Sequence, residues 1–166
     1  MLNLFVLLWF VFASCIKEDV PVAGTVITED EETNFNVNKN VLLSLVNEVR
    51  QKGCNCGGAW MPPVSAVTWN NQLARAAYRH SADMKAKNYF SHTAPDGSNP
   101  GTRIKAAGYD WKAYGENIAH NYPDEHAVVE GWLKSVNHCK TIMGAYFKEM
   151  GAGRAGAYWT QDFGMR

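Results

Sequence analysis

The chain begins with an unbroken apolar run. Leu4 to Phe12 are consecutive apolar residues, and the run is too short to cross a bilayer as a helix. Two small residues, Ala13 and Ser14, follow it, as small residues follow the apolar core of a signal peptide. The pattern predicts that residues 1–14 are a signal peptide, with a buried N-terminal strand as the alternative.

Further along the chain, apolar residues recur at helical spacing in four segments. In the second segment His80 lies on the apolar face with Ala77 and Met84, so we expect His80 to pack in the core. His126, in the fourth segment, is expected to be exposed. The predicted helices run from Asn38 to Gly53, from a cap at Asn70 or Asn71, from Thr102 to Ala107, and from Pro123 onwards.

The apolar pattern changes its period in the last part of the chain. Phe147–Gly153 and Ala157–Phe163 are predicted to be two strands joined by a turn at residues 154–156. Val64–Trp69 is expected to be a loop or a short strand. Because helices come first and paired strands last, the predicted fold is α+β, with helices packed over an antiparallel sheet.

A polar segment separates the apolar run from the predicted domain. Residues 16–37 include the acidic run Glu29–Glu32 and few large apolar side chains, which is typical of a flexible tether. Before it, residues 12–15 resemble the lipobox of bacterial lipoproteins, in which the cysteine thiol is acylated. We therefore expect Cys15 to carry a lipid anchor, which tethers a protein without spanning the membrane. Residues 15–37 would link it to a domain at 38–166.

Charge and motifs exclude several classes of function. The chain has 16 basic and 16 acidic residues, so its neutral balance gives no reason to expect nucleic acid as a partner. The glycines of residues 151–156 satisfy the letters of a dinucleotide fingerprint, but no helix follows them, and a hairpin turn is the better interpretation. The sequence contains neither the Gly-x-Ser-x-Gly motif nor the His-Glu-x-x-His motif.

Three cysteines lie beyond Cys15. They are Cys54, Cys56 and Cys139, and an exported protein meets an oxidising environment that favours disulfides. Cys54 and Cys56 are too close in sequence for an easy bridge, so we predict that Cys139 pairs with one of them. Zinc binding by the Cys-x-Cys segment is disfavoured, because two further ligands at metal spacing are missing.

Three short polar segments lie among aromatic and apolar residues. Each supplies one side chain that can act as an acid, a base or a metal ligand. Glu116 is expected in a loop before the fourth helix. A carboxylate and two imidazoles can form an acid/base set or a metal site; the alternative is that they hold loops together by hydrogen bonds. The three side chains are His92 in residues 88–93, Glu116 in residues 115–118, and His138 at the end of residues 132–138.

Residues 40–164 resemble a CAP domain. This superfamily includes cysteine-rich secretory proteins, insect venom antigens and plant pathogenesis-related proteins, and the resemblance is closest to its bacterial SCP-like branch. It implies a three-layer α-β-α sandwich with a central antiparallel sheet and a large cleft. The matching segments, in the family's order, are Leu45–Arg50, Trp69–Ala74, Phe90-Ser91-His92, Gly115–Ala119, Trp132–His138 and Tyr158–Gly164.

In eukaryotic CAP proteins two histidines and two acidic residues line the cleft, and some bind a divalent metal there. His92 matches the first histidine and Glu116 the first acid, but Ser135 stands in place of the second glutamate and Tyr158 in place of the second histidine. His138 is instead the histidine of the bacterial Trp-x-x-Ser-Pro-Gly-His pattern. The resemblance thus implies His92, Glu116, His138 and Ser135 as cleft residues, and the first three as ligands for a metal such as zinc.

Together these features predict an exported, membrane-tethered protein of a bacterial cell envelope or its exterior. Its His/Glu cleft is expected to bind a small ligand, lipid, peptide or glycan. The alternative is a metal-assisted or general-base hydrolase of peptides or esters, which would act through Glu116, His92 and His138. A purely structural envelope component is the third possibility. Because one fold serves many functions, the CAP fold by itself does not choose among them.

Overall fold

In the computed structural model, which describes residues 34–166, short groups of helices and of strands follow one another along the chain. None of the helices in this part of the chain is long and apolar enough to cross a membrane. The predicted signal peptide, Cys15 and most of the tether lie outside the described residues. The elements are α1 (Lys39–Lys52), β1 (Cys54–Cys56), β2 (Ala59–Met61), β3 (Thr68–Trp69), α2 (Asn71–Lys87), α3 (Pro100–Ala106), β4 (Ala113–His120), α4 (Glu125–Lys134), α5 (Val136–Ile142), β5 (Glu149–Ala155) and β6 (Tyr158–Met165).

The main sheet has the strand order β3-β5-β6-β4. Its two long pairings, β5 with β6 and β4 with β6, are antiparallel, and the short β3 pairs parallel to β5. Strands β1 and β2 form a separate hairpin. The α+β class is confirmed, and β4 lies at one edge of the sheet.

Helices cover both faces of the main sheet. One face carries large apolar side chains, including Met150, Trp159 and Phe163, which join a buried core with residues of α1 and α4. The other face carries small residues where α2 crosses it. A side chain at Gly151 would collide with the α2 backbone at Ala74, so glycine is required for this close approach. The result is the three-layer α-β-α sandwich that the resemblance to CAP domains implies.

Side-chain caps determine where the helices start. The third helix begins at Pro100 and not at Thr102, because Asn99 accepts a hydrogen bond from the Thr102 amide and proline suits the first helical position. The fourth begins at Glu125 and not at Pro123. Asp124 is its cap and accepts from the Ala127 amide, which leaves Pro123 before the helix.

The segment around Glu116 differs from its prediction. Residues 115–118 are not a loop; they lie within β4, which pairs with β6 along its whole length. A half-buried strand usually alternates apolar and polar residues, and this strand does not. Its neighbouring residues Glu116 and Asn117 are both polar, and both side chains are buried. The helix α5, which carries His138, was also not predicted from the spacing. The turn expected at 154–156 begins later, because β5 continues to Ala155.

The folded domain starts earlier than Asn38. Phe35 is buried and packs near the ring of Tyr78. Its carbonyl accepts a hydrogen bond from the Arg154 amide, and the side chain of Asn36 donates to the Arg154 carbonyl. These hydrogen bonds fix Phe35 and Asn36 against the end of β5.

Two links hold α5 and the loop after it in place, one to β1 and one to α1. The first is a disulfide between Cys56 and Cys139, which confirms that Cys139 is bridged and selects Cys56 as its partner. The second is the buried guanidinium of Arg50. It donates to the carbonyls of Ile142, Gly144 and Phe147, so these backbone groups are satisfied without water. Both links fix the position of His138.

Candidate functional site

Glu116 is the centre of a buried network at the edge of the sheet. Its side chain is only 2% exposed. One carboxylate oxygen, Oε1, lies 2.7 Å from His92 Nδ1, and the other, Oε2, accepts from Arg103 Nη2 at 2.6 Å. Both oxygens are thus engaged. Two of the residues predicted for the cleft, His92 and Glu116, are in contact, and Arg103 is an additional member of the network.

The two partners of Glu116 differ in exposure. The Arg103 side chain, from α3, is 12% exposed and also donates to the Ser98 carbonyl through Nη1. The His92 side chain, from the segment after α2, is 50% exposed. The arginine therefore completes a nearly buried ion pair, while His92 presents its ring to the surface.

Asp162 is a second buried acid beside Glu116. The two residues are opposite each other in the pairing of β4 with β6. Burial, and next the charge of Glu116, raise the pKa of Asp162 well above its ordinary value. The neutral acid is therefore favoured. Its Oδ1 atom has no hydrogen-bond partner within residues 34–166.

His138 lies on α5, on the other side of β4 from α3. Burial lowers the pKa of His138, and the nearby charge of His92 lowers it further, so the neutral imidazole is favoured. The His138 carbonyl accepts a hydrogen bond from Asn117 Nδ2. Ser135 precedes α5 and makes no capping hydrogen bond with its side chain, which leaves its hydroxyl available.

A cavity of about 290 Å³ lies beside this network, along the free edge of β4. Its apolar walls include Phe90, Ile118 and Trp132, and the Trp132 indole donates to the Ile118 carbonyl. Phe90 is 52% exposed at its mouth. The polar side chains at the cavity include His120, Ser135 and His138.

The structure thus divides the predicted site residues into two neighbouring groups. His92 and Glu116 are joined by a hydrogen bond, whereas Ser135 and His138 line the cavity. Of the other histidines, His80 is buried and His126 is exposed, as predicted.

Sequence reasoning missed Arg103 and Asp162. Asp162 lies in a segment that the sequence predicts as a strand, and it faces Glu116 only through the register in which β4 pairs with β6. Arg103 has no comparable signal, because its contact with Glu116 depends on how α3 packs.

The network does not fit a divalent cation as it is arranged. Both Glu116 oxygens are occupied, one of them by a cationic guanidinium that would repel a metal ion. Among the described residues, the histidine, cysteine and acidic groups that bring three ligand atoms within 4.8 Å of one another are Cys54, Cys56 and Cys139. The set of His92, Glu116 and His138 as metal ligands stays a prediction.

Comparison with known proteins identifies related sequences. The sequence model of the cysteine-rich secretory protein family, CAP, matches residues 43–163. The uncharacterized membrane protein YlbC of Bacillus subtilis is 35% identical over 122 residues, which are 74% of this chain and 33% of that protein. The uncharacterized protein YkwD of the same organism is 39% identical over 93 residues, 55% of this chain and 36% of that protein. This chain therefore spans about a third of these relatives.

Solved structures share the fold. An extracellular protein containing a SCP domain from Bacillus anthracis is 30% identical with a TM-score of 0.69, and the match covers 84% of this chain and 44% of that one. An outer surface protein of Borrelia burgdorferi is 21% identical with a TM-score of 0.64, covering 76% of this chain and 91% of that one. The second likeness supports the fold alone.

Proposed function

Because this chain belongs to the cysteine-rich secretory protein family, we propose that it is an exported envelope protein that binds a small amphipathic ligand. The ligand is a lipid or an apolar peptide. Its apolar part would fill the cavity beside β4, and its polar end would meet the imidazoles and hydroxyl of His120, His138 and Ser135. Binding, not catalysis, is the activity that these side chains support best.

The cavity is the observation that carries this proposal. Ligand sites are mostly apolar concavities with a few placed polar groups, and this one combines the aromatic walls of Phe90 and Trp132 with polar side chains at one side. Its volume of about 290 Å³ is just below the range of small-molecule pockets, about 300–1,000 Å³. A single acyl chain or a short peptide suits that size better than a large glycan.

One observation favours the alternative of a general-base hydrolase. The hydrogen bond between His92 Nδ1 and Glu116 orients an exposed imidazole, as a carboxylate orients a catalytic histidine. Glu116 itself is unsuited to act as the base, because both of its oxygens are engaged and its side chain is buried. In this alternative His92 would therefore be the base, with Glu116 as its positioning residue.

Export and tethering belong to the same proposal. The signal-like run and Cys15 support a lipid anchor, and the Cys56–Cys139 disulfide suits an oxidising compartment. The similar protein of Bacillus anthracis is described as extracellular. A radiolabelled fatty acid supplied to expressing cells should label the wild-type chain and not Cys15→Ser; equal labelling of the two would reject the anchor.

Ligand binding is tested with two probes, dodecanoate and a tripeptide of apolar residues, titrated against the purified protein in native mass spectrometry. Phe90→Ala is the informative variant, because its ring forms the cavity mouth. Tyr146→Ala is the matched control, since Tyr146 is 55% exposed but does not line the cavity. We expect one probe to bind at 1:1 stoichiometry, and Phe90→Ala to weaken it about tenfold, or about 1.4 kcal/mol.

The result separates the two functions. Binding that Phe90→Ala and Tyr146→Ala weaken equally would contradict the cavity as the site, and failure of both probes to bind would reject the proposed ligand class. Turnover of an ester or peptide panel that is lost in His92→Ala, with unchanged probe binding, would support the hydrolase instead.

A further inference from the structure

Three sulfur atoms meet at the end of the domain that holds α5. Cys56 and Cys139 form the disulfide, and the Cys54 sulfur lies 3.5 Å from Cys139 Sγ and 3.8 Å from Cys56 Sγ. Cys54 is the free cysteine of residues 34–166. A thiol in van der Waals contact with both sulfurs of a disulfide is a structural precondition for exchange, since exchange proceeds by attack of a thiolate on a disulfide sulfur.

The three sulfurs differ in their access to the exterior. Cys56 and Cys139 are completely buried, whereas Cys54 is partly exposed. A thiol or disulfide from outside can therefore reach Cys54 without unfolding the domain, but it cannot reach the two bonded sulfurs. Of the three cysteines, Cys54 is therefore the one through which an external reactant can act on the buried disulfide.

We propose that Cys54 is an exchange thiol, the atom through which external disulfides and thiols form and open the buried Cys56–Cys139 bond. The external reactant is a small disulfide such as oxidised glutathione, or the dithiol pair of an envelope oxidoreductase. This assigns a mixed-disulfide modification site to Cys54, apart from the ligand cavity and independent of the proposed ligand binding.

Oxidation of the reduced protein proceeds in three balanced exchanges. The Cys54 thiolate attacks an external disulfide RSSR, so that a Cys54–SR bond forms and RS⁻ leaves with the proton that Cys54 lost. Cys139 then attacks Cys54 Sγ, which forms Cys54–Cys139 and releases the second RSH. Finally Cys56 attacks Cys139 Sγ, which gives Cys56–Cys139 and returns Cys54 to the thiol. Two protein thiols are oxidised and one RSSR becomes two RSH; opening is the reverse.

The geometry also limits the rate of exchange. Cys54 Sγ is almost equidistant from the two bonded sulfurs, so it lies beside the bond, whereas displacement at sulfur requires approach along the bond axis. The Cys54 side chain must rotate first. Its hairpin is separate from the main sheet and turns through Gly57 and Gly58, both at positive φ, so only this small unit has to adjust.

The apolar surroundings slow the reaction further. The three sulfurs are packed with Val49, Met61 and Leu133, and burial raises the pKa of the Cys54 thiol. The thiol form is favoured at neutral pH, which protects the disulfide from casual exchange. Since Cys139 directly follows His138, opening the bond would also release a constraint on the cavity wall.

The proposal is tested on the full chain, with Cys15→Ser as the common background so that only three sulfurs react. The native protein is exposed to reduced glutathione, quenched with acid at intervals, alkylated and mapped by mass spectrometry without reduction. The second protein adds Cys54→Ser, and Cys54→Ala serves if the serine variant does not fold. Circular dichroism verifies that each protein keeps its fold.

In reduction, the reverse of the exchanges above, we expect a transient Cys54–Cys139 peptide pair to appear first, as Cys54 displaces Cys56, and glutathione then to appear on Cys54, as it displaces Cys139. Reduction of the disulfide should slow at least tenfold without Cys54. Reoxidation by oxidised glutathione should slow by a similar factor. Equal rates with and without Cys54 would overturn the proposal, as would first attachment of glutathione at Cys56 or Cys139. If neither variant folds, the order of labelling in the background protein decides alone.

Discussion

Removal of the Glu116 carboxylate should destabilise the domain far more than removal of the exposed ring that it contacts. In Glu116→Ala, the Arg103 guanidinium loses its counter-charge although its side chain is only 12% exposed. Breaking a buried ion pair in this way costs about 3–5 kcal/mol. Glu116→Gln keeps the shape of the side chain and one acceptor oxygen. Its unfolding free energy should therefore fall by about the contribution of one hydrogen bond to a charged group, about 1.5–3 kcal/mol.

His92→Ala is the matched control. His92 contacts the same carboxylate, but its side chain is 50% exposed, and solvent-exposed pairs contribute only about 0–1 kcal/mol. The expected order of destabilisation is therefore Glu116→Ala, then Glu116→Gln, then His92→Ala.

Urea unfolding of the full chain, followed by circular dichroism at neutral pH, measures the three free energies of unfolding. The slopes with urea should agree among the variants, so that differences in midpoint report stability. If His92→Ala lost as much as Glu116→Ala, or Glu116→Ala lost less than about 1 kcal/mol, the buried network described above would be wrong.

Three further predictions concern other parts of the domain. Cys139→Ser should lower the unfolding free energy by about 4.5 kcal/mol, which follows from the loop-closure entropy of a bond spanning 83 residues. Cys56→Ser should lower it less, because Cys54 can then form a disulfide with Cys139. Urea unfolding of the two variants measures this difference. The pKa of Asp162 is raised in the folded protein, so its contribution to stability is full below the ordinary pKa of 3.8 and is lost as pH rises. In urea titrations, Asp162→Asn should therefore gain stability relative to wild type between pH 4 and pH 7. A difference in unfolding free energy that does not change with pH would contradict this. A methyl group at Gly131 would overlap the Tyr122 ring at the cavity, so Gly131→Ala should weaken dodecanoate binding about tenfold, or about 1.4 kcal/mol, by titration calorimetry, while unchanged affinity would place the ligand elsewhere.

Much of the fold could be predicted from local patterns. The spacing of apolar residues locates α1 and α2, because helix periodicity and asparagine caps are local signals. The last two strands follow from the change of period, and their pairing confirms the hairpin. The starts of α3 and α4 were misplaced by two residues, because several neighbouring residues could cap each helix in sequence and only the backbone selects Asn99 and Asp124.

The site was harder to predict, because its parts come together only in three dimensions. The family resemblance identifies His92 and Glu116. The polar residues of β4, however, do not show the apolar–polar alternation from which a strand is predicted. Asp162 faces Glu116 because β4 pairs with β6 in one particular register. Arg103 joins them through the packing of α3, which no pattern in residues 100–106 encodes. Likewise, sequence left Cys54 and Cys56 equivalent, and only the hairpin geometry directs Cys56 to Cys139.

The central claim is that a small amphipathic ligand occupies the cavity beside β4. It is tested most directly by following the imidazole NMR resonances during titration with dodecanoate, because His120 and His138 line the cavity while His126 is exposed and does not line it. We predict saturable shifts of the His120 and His138 signals and an unchanged His126 signal. Equal shifts of all three, or no shift with either dodecanoate or the apolar tripeptide, would contradict the account.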